Sequence, residues 1–244
     1  DQFEAMASGD IGNYKNRRFE GMINLPIVDD LLDLRVAGEW TKRAGYSTNE
    51  ITGNPIDGRD LWSSRVSIAW KPSEDIKAGL VWEHFSENDD RMRTSKQLCK
   101  TDPTPLTVGG VTVPLPSVPI GIGGSQNPAN YLSQGCLPSS LYSADAFGVP
   151  NGYTLPYVTA AKATGEIDLT VDPYASTTQS MDLRTIESTL NPEYKAKNDV
   201  VEFNADYDVS SALKLASQTS FNHDFLWSTE DYNRFNTSPG IFLP

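Results

Sequence analysis

The sequence predicts an all-β fold, namely an antiparallel up-and-down transmembrane β-barrel. We expect this chain to hold part of that barrel, about seven strands, with one long extracellular loop insertion. One observation is the period-two alternation of apolar and polar residues in segments of about ten residues, the length at which a tilted strand crosses a bilayer. The other is that short turns alternate with long connections. Short periplasmic turns and long outer loops are typical of outer-membrane barrels.

Seven segments carry the strand pattern. In residues 32–41, Leu34, Val36 and Trp40 alternate with polar residues, so this strand has one apolar and one polar face. In the next segment, Trp62 and Trp70 lie at the two ends of the apolar face, as two aromatic girdles require. The predicted strands are residues 2–10, 18–26, 32–41, 62–70, 76–85, 200–207 and 213–224.

Four cations fall on the polar phase of their segments. A Lys or Arg on the lipid face near mid-bilayer costs roughly 2 to 4 kcal/mol. We therefore expect these four side chains to point into the barrel interior: Arg35, Arg65, Lys77 and Lys214.

The connections sort into two classes. Short turns are predicted at residues 28–31, 71–75 and 208–212, and long connections at 42–58, at 86–199 and from 225 onward. The first two strands are expected to form a hairpin around residues 11–17. Residues 86–199 are rich in Pro, Gly, Ser and Thr, which predicts an irregular loop. The chain's two cysteines, Cys99 and Cys136, both lie there, and whether they form a disulfide stays open.

Bulk properties exclude some function classes. The net charge of −12 and pI near 4.6 argue against nucleic acid as a partner, because phosphate neutralisation needs clustered Lys and Arg. No apolar run is long enough for a transmembrane helix. The two histidines, His84 and His223, each stand alone, which leaves little material for a catalytic or zinc site. We expect no enzyme activity, no cofactor and no metal.

Two groups of residues have competing interpretations. Glu87, Asp89 and Asp90 would meet at the barrel mouth and could bind a divalent cation, although a solvated loop is the favoured interpretation. Aromatic residues of the long loop could stack on a ligand or pack the loop on itself. They are Tyr131, Tyr142, Phe147, Tyr153, Tyr157 and Tyr174.

Residues 16–99 contain the stretches Asn16-Arg17-Arg18-Phe19-Glu20-Gly21, Leu34-Arg35-Val36-Ala37-Gly38, Arg43-Ala44-Gly45-Tyr46, Gly58-Arg59-Asp60 and Trp82-Glu83-His84-Phe85. In this order and strand setting they resemble the barrel domain of TonB-dependent outer-membrane receptors. The resemblance implies a barrel of about 22 strands, closed by an N-terminal plug domain. It also implies energised import of a scarce small-molecule ligand through the TonB complex, for example a ferric siderophore, a vitamin or an oligosaccharide.

The sequence shows no plug, no TonB box and no final strand ending in an aromatic residue. We therefore expect residues 1–244 to be the N-terminal part of the barrel domain, in contact with outer-membrane lipid, with transport a property of the whole parent protein. Ligand contacts are expected in residues 42–58 and 86–199, and no single side chain stands out. Two alternatives remain. One is a passive porin-like channel whose selectivity is set by Arg35, Glu39, Arg65 and Glu83. The other is a soluble carbohydrate-binding β-sandwich.

Overall fold

In the computed structural model, every regular element is a β-strand. The structure describes residues 2–93, 95–102, 107–108, 110–112, 118–120, 124–126, 133–152, 173–174, 177–231 and 235. The strands are β1 Glu4–Gly12, β2 Asn16–Val28, β3 Leu32–Arg43, β4 Ser47–Asn49, β5 Asn54–Ile56, β6 Arg59–Trp70, β7 Ile76–Asp89, β8 Lys100–Thr101, β9 Thr107–Val108, β10 Val111–Thr112, β11 Val118–Ile120, β12 Gly124–Gln126, β13 Cys136–Leu137, β14 Thr185–Ile186, β15 Glu193–Ser210 and β16 Leu213–Thr229. Within this described part, there is no helix long and apolar enough to cross a membrane.

Seven long strands form one antiparallel sheet in the order β1-β2-β3-β6-β7-β15-β16. Each strand therefore pairs with the next long strand along the chain, as an up-and-down topology requires. The predicted all-β class, the strand number and the antiparallel order are confirmed. The chain divides into two compact units. The sheet unit comprises Asp1–Thr48, Asn54–Arg93 and Asn191–Glu230, and the insertion unit comprises Asn49–Gly53, Thr94–Leu190 and Asp231–Pro244.

The register brings the apolar phases of neighbouring strands onto one face. Residues that are directly opposite in a ladder lie on the same side of the sheet. One such row crosses five strands through Val36, Val66, Trp82, Val201 and Phe221. A shift of one residue in any strand would move its apolar set to the other face, so the alternation itself specifies this register.

Turns and longer connections join neighbouring strands at both ends of the sheet. The connections 29–31, 71–75 and 211–212 share one end, here called the turn end. The opposite end, here called the insertion end, carries the turn 13–15 and the longer connections 44–58 and 90–192. In the turn 13–15, Tyr14 and Lys15 both have φ near +58°, and the Asn16 N–H donates to the Asn13 carbonyl at 3.1 Å. Two consecutive left-handed residues are the type I′ geometry that suits a tight hairpin.

The strands beside the long connection run further than the sequence predicts. β7 continues to Asp89 and β15 begins at Glu193, within residues 86–199 that the sequence analysis assigns to the loop. Four cross-strand pairs extend the ladder there, from Ser86 opposite Lys197 to Asp89 opposite Tyr194. On β7 the four residues of these pairs are polar on both faces, so this end of β7 carries no apolar alternation, but backbone pairing continues without it.

The insertion unit contains a disulfide between Cys99 and Cys136, which answers the question that the sequence left open. Cys99 is fully buried, its N–H donates to the Ala146 carbonyl at 2.8 Å, and its own carbonyl accepts from the Gly148 N–H at 2.8 Å. β8 pairs with β13 beside the bridge. Three segments that are distant in sequence, around residues 99–102, 133–137 and 145–149, are therefore joined at this point.

Candidate functional site

The apolar face of the sheet carries all five tryptophans of the chain. Trp40 pairs with Trp62, Trp70 lies at the other end of the same strand, and Trp82 and Trp227 lie on rows of the same face. The large side chains of this face are well exposed, for example Trp62 at 43%, Trp70 at 48% and Phe221 at 64%. Apolar surface on this scale marks contact with a partner or a membrane.

The height of this apolar band is set by Trp62 and Trp70. The segment from Trp62 to Trp70 holds 9 residues, and a tilted strand needs about 9 to 11 to cross the hydrocarbon core. Transmembrane barrels have an apolar band about 25 Å tall between two aromatic girdles. Phe19, Trp40 and Trp62 form one row at the insertion end, with the Phe19 and Trp40 rings stacked 5.9 Å apart.

The opposite face is polar and contains several ion pairs. Arg65 Nη1 lies 2.8 Å from Glu83 Oε1, Arg18 Nη2 lies 3.0 Å from Glu39 Oε2, and Lys214 Nζ lies 3.2 Å from Asp206 Oδ2. A cleft of about 490 Å³ lies along this face, lined by Glu20, Arg35, Glu39, Arg65, Glu83 and Asn198, among others. The strand registers place all four cations of the predicted polar phase on this face. They are Arg35, Arg65, Lys77 and Lys214.

The two histidines are not isolated, and the prediction that each stands alone is wrong. His84 and His223 are the two cross-strand neighbours of Asp199, on the apolar face. The His84 Nδ1 atom lies 2.7 Å from Asp199 Oδ1, and the His84 ring lies 4.7 Å from the Trp62 ring. His84 and Asp199 are 115 positions apart, so only the register of β7 with β15 brings them together.

The acidic residues near the ends of β5 and β7 form a cluster with Arg59 and Gly58, here called the Asp–Arg cluster. Asp89 accepts hydrogen bonds from the Asp60 N–H at 3.1 Å and the Arg91 N–H at 3.0 Å. Asp90 accepts from the Gly58 N–H. Asp57 pairs with Arg59 at 3.0 Å. The carboxylates thus serve as acceptors that tie the 44–58 connection to the end of β7.

This arrangement does not support the divalent-cation interpretation of Glu87, Asp89 and Asp90. Carboxylate oxygens that accept from backbone N–H groups have few lone pairs left for a cation. Glu87 faces Arg91, whose Nε lies 3.5 Å from Glu87 Oε1. Within the described part of the chain, no group of three or more His, Cys, Asp or Glu residues could hold a metal ion.

Gly58 allows the close approach on which the cluster depends. A Cβ atom at this position would lie 2.7 Å from Asp90 Oδ1 and 3.2 Å from the Arg43 carbonyl oxygen. Any larger residue would displace the carboxylate or the backbone. The sequence signal for this contact is the Gly58-Arg59-Asp60 stretch, but nothing in the sequence names Asp90 as its partner.

Two substitutions of Asp90 should distinguish the effect of the hydrogen bond that it accepts from the effect of its negative charge. Burial, followed by the charges of Asp89 and Asp57, raises the pKa of Asp90. A carboxyl with a raised folded-state pKa stabilises the fold below its ordinary pKa of 3.8, and that contribution is lost as pH rises through the raised value. We expect Asp90→Asn, which keeps an acceptor oxygen, to retain protection of the Gly58 amide and to abolish this acid-range pH dependence.

The matched variant Asp90→Ala should behave differently, because it leaves the Gly58 N–H without its acceptor. Loss of a partner from such a group costs about 1 to 3 kcal/mol, so Gly58 protection should fall at every pH. Amide hydrogen exchange, expressed as a protection factor, measures both variants. Equal protection in Asp90→Ala and wild type would contradict the assigned role.

The structure describes three of the six aromatic residues proposed for ligand stacking. Tyr142 is 95% exposed. Phe147 is half-buried and forms an isolated parallel β-bridge with Cys99 through its backbone. Tyr174 packs edge-on against Phe235, with 6.2 Å between the ring centroids. Tyr131, Tyr153 and Tyr157 lie outside the described residues. Tyr174 therefore packs within the insertion unit, but against a residue outside the 86–199 loop.

Comparison with known proteins adds no assignment: no protein-family model matches the chain, and no solved structure matches it.

Proposed function

We propose that this chain forms consecutive strands of an outer-membrane β-barrel, as part of a TonB-dependent receptor that imports a scarce small-molecule ligand. The observation that carries the proposal is the continuous apolar face that holds all five tryptophans opposite an ion-paired polar face. In this proposal the apolar face contacts outer-membrane lipid, the polar face lines the barrel interior, and the chain has no catalytic role.

The energetics of the apolar face favour lipid over water. Covering a side chain such as Phe221 or Trp70, which is about half exposed, removes a large apolar area from water, and full burial of such residues is worth about 1.5 to 3 kcal/mol each. A soluble β-sandwich would cover this face with a second large sheet. The other sheets of the described residues have only two or three strands. This observation favours the membrane proposal over the carbohydrate-binding sandwich.

The edges of the sheet support a larger barrel. β1 and β16 are the first and last strands in the order, so each has one neighbour within the sheet. In lipid, each unpaired backbone N–H or C=O group costs several kcal/mol, which is why membrane sheets close on themselves. We infer that strands from the rest of the parent protein pair with these two edges.

The assignment to TonB-dependent receptors rests on the resemblance of residues 16–99 to that family. The distribution of the connections supports it, because the 44–58 and 90–192 connections leave the same end of the sheet, where a ligand arriving from outside would meet them. A plug domain and the TonB complex are the partners that this proposal requires. The imported ligand belongs to a class such as ferric siderophores, vitamins or oligosaccharides.

A passive porin-like channel is the second candidate. The polar face supports a channel as directly as it supports a receptor. The Arg65–Glu83 and Arg18–Glu39 pairs would lie along the channel and set its ion selectivity. Both candidates place the sheet in the outer membrane, so they differ only in whether the interior is plugged.

Membrane insertion can be tested with the tryptophans themselves. The full-length protein, reconstituted in phosphatidylcholine vesicles, should show strong quenching of tryptophan fluorescence when the acyl chains are brominated. A water-soluble quencher should have little effect, because the five indoles lie on the apolar face. The reverse pattern would exclude the barrel and favour a soluble domain.

The two membrane candidates can be separated with the purified periplasmic domain of TonB as a probe. A TonB-dependent receptor should bind this domain and give no steady current in a planar bilayer, because its plug fills the interior. A passive channel should not bind it and should give an ohmic current. An unrelated periplasmic protein serves as the binding control.

A further inference from the structure

Cations border the apolar face at the insertion end of the sheet. Two adjacent rows of side chains near that end of the face contain Arg17 and Lys42 opposite each other on β2 and β3, and Lys195 and Lys197 on β15. These four residues are here called the basic belt. The same two rows contain one carboxylate, Asp60, and the aromatic side chains Phe19, Trp40, Trp62, Phe225 and Trp227. The adjoining rows of the same face hold one carboxylate each on β15, Glu193 on the outer side and Asp199 on the inner side.

The basic belt runs against the charge of the whole chain, which has 32 Asp and Glu residues and 20 Lys and Arg residues. The turn end shows the opposite balance. The turns 29–31 and 71–75 hold four carboxylates, namely Asp29, Asp30, Glu74 and Asp75, with Lys71 as their one cation. Within the seven long strands, the Lys and Arg residues on the apolar face are therefore all members of the basic belt.

The cations of the belt are accessible and only partly neutralised. Lys42 pairs with Asp60 at 2.6 Å but keeps 59% of its side chain exposed. Lys195 is 46% exposed, 3.5 Å from Glu193 and 4.7 Å from the centre of the Trp227 ring. Arg17 and Lys197 are exposed and have no ion pair with any described residue. Exposed ion pairs are weak, so an anion can compete for these side chains.

We propose that the basic belt binds phosphate groups of lipid headgroups in the outer leaflet, while the acyl chains of the same lipids pack on the aromatic row below. Lys and Arg form strong charge-assisted hydrogen bonds with phosphate. Trp and Phe favour the depth at which headgroup and acyl chain meet. A soluble anion would gain the first contact but not the second, so the position of the belt selects a lipid. This inference rests on the proposed membrane insertion.

The spacing of the belt indicates more than one phosphate. Arg17 and Lys195 lie on strands separated by three others, which is about 19 Å at the usual distance between strands. No single phosphate spans that distance. The belt therefore fits several anionic lipids side by side, or a headgroup that carries several phosphates.

The test measures the lipid at the barrel surface. The full-length protein is reconstituted in phosphatidylcholine vesicles that contain a trace of dansyl-labelled phosphatidic acid or dansyl-labelled phosphatidylcholine. Energy transfer from tryptophan to dansyl reports which lipid is enriched next to the protein, and Trp227 lies opposite Lys195 of the belt. We expect enrichment of phosphatidic acid. The double variant Arg17→Gln/Lys197→Gln should reduce its relative affinity about 25-fold, since each cation near an anionic lipid is worth about fivefold.

The control variant Lys71→Gln/Lys214→Gln also removes two positive charges, but at the turn end. It should leave the enrichment unchanged. Equal transfer from both lipids in the wild type, or an equal loss in both double variants, would overturn the inference while leaving membrane insertion intact. Absence of transfer from either lipid, together with absence of quenching by brominated phosphatidylcholine, would overturn the proposed function and this inference with it.

Discussion

An arginine at Val66 should destabilise the membrane-embedded protein by about 2 to 4 kcal/mol, the cost of a cation on the lipid face near mid-bilayer. Val66 lies four residues from Trp62 and four from Trp70, so it occupies the middle of the apolar band. Its neighbours in the row, Val36 and Trp82, are apolar and offer the guanidinium no partner. Urea unfolding in phospholipid vesicles, followed by tryptophan fluorescence, should show a lower midpoint with an unchanged slope.

The matched control is Val81→Arg, which makes the same substitution at nearly the same depth on the opposite face. Val81 lies on the polar face between Ser67 and Glu202, so its arginine would meet water and a carboxylate. We expect a change below about 1 kcal/mol, as is usual for exposed charges. Equal costs at both positions would show that neither face contacts lipid, and larger damage at Val81 would reverse the assignment of the two faces.

The two faces of the sheet could be predicted from the sequence, because successive residues of a strand point to opposite faces. Val36 follows Arg35, and Val66 lies between Arg65 and Ser67, so the pattern of each strand alone assigns its valine to a face. The same reasoning placed Arg35 and Arg65 on the opposite face, as the structure shows. Fold class and strand order therefore followed from local pattern and turn length, without knowledge of any long-range contact.

Contacts that depend on register across a long connection could not be predicted in this way. The His84–Asp199 pair spans the whole 90–192 connection, and the Asp90–Gly58 hydrogen bond joins two different connections of the insertion end. Neither leaves a periodic trace in the sequence, because loop length does not fix where a loop returns. The extension of β7 to Asp89 was missed for a related reason, since backbone pairing there continues through side chains that are polar on both faces.

In the insertion unit, the contacts between distant segments could be predicted least of all. Its sequence offered two cysteines 37 positions apart, and proline and glycine content gave no information on whether their Cα atoms approach. The structure supplies the missing contacts: Asp102 Oδ2 accepts from the Gln134 N–H at 2.6 Å, and the Asn151 side chain donates to the Asp102 carbonyl at 3.1 Å. The first of these bonds joins the same two segments as the disulfide, so the bridge lies within a hydrogen-bonded junction.

Removing the disulfide should unfold this junction without unfolding the sheet. The chain-entropy estimate for a closed loop of 37 residues is about 4 kcal/mol. Alanine is the suitable replacement in Cys99→Ala/Cys136→Ala, because a hydroxyl at the fully buried position 99 would need a partner. Amide protection at Cys99 and Gly148, whose N–H groups bond across the junction, should fall by two to three orders of magnitude, about 3 to 4 kcal/mol on the usual conversion.

Protection in β6 and β7 should stay unchanged, because the bridge lies wholly within the insertion unit. Lys100→Gln provides the matched control beside the bridge. It removes only the exposed Lys100–Asp145 pair, and the cost of losing such a pair is at most about 1 kcal/mol. Treating the wild-type protein with a reductant should reproduce the double variant. If protection in the junction survives both treatments, its hydrogen bonds rather than the disulfide hold the junction together, and the entropic account of the bridge fails.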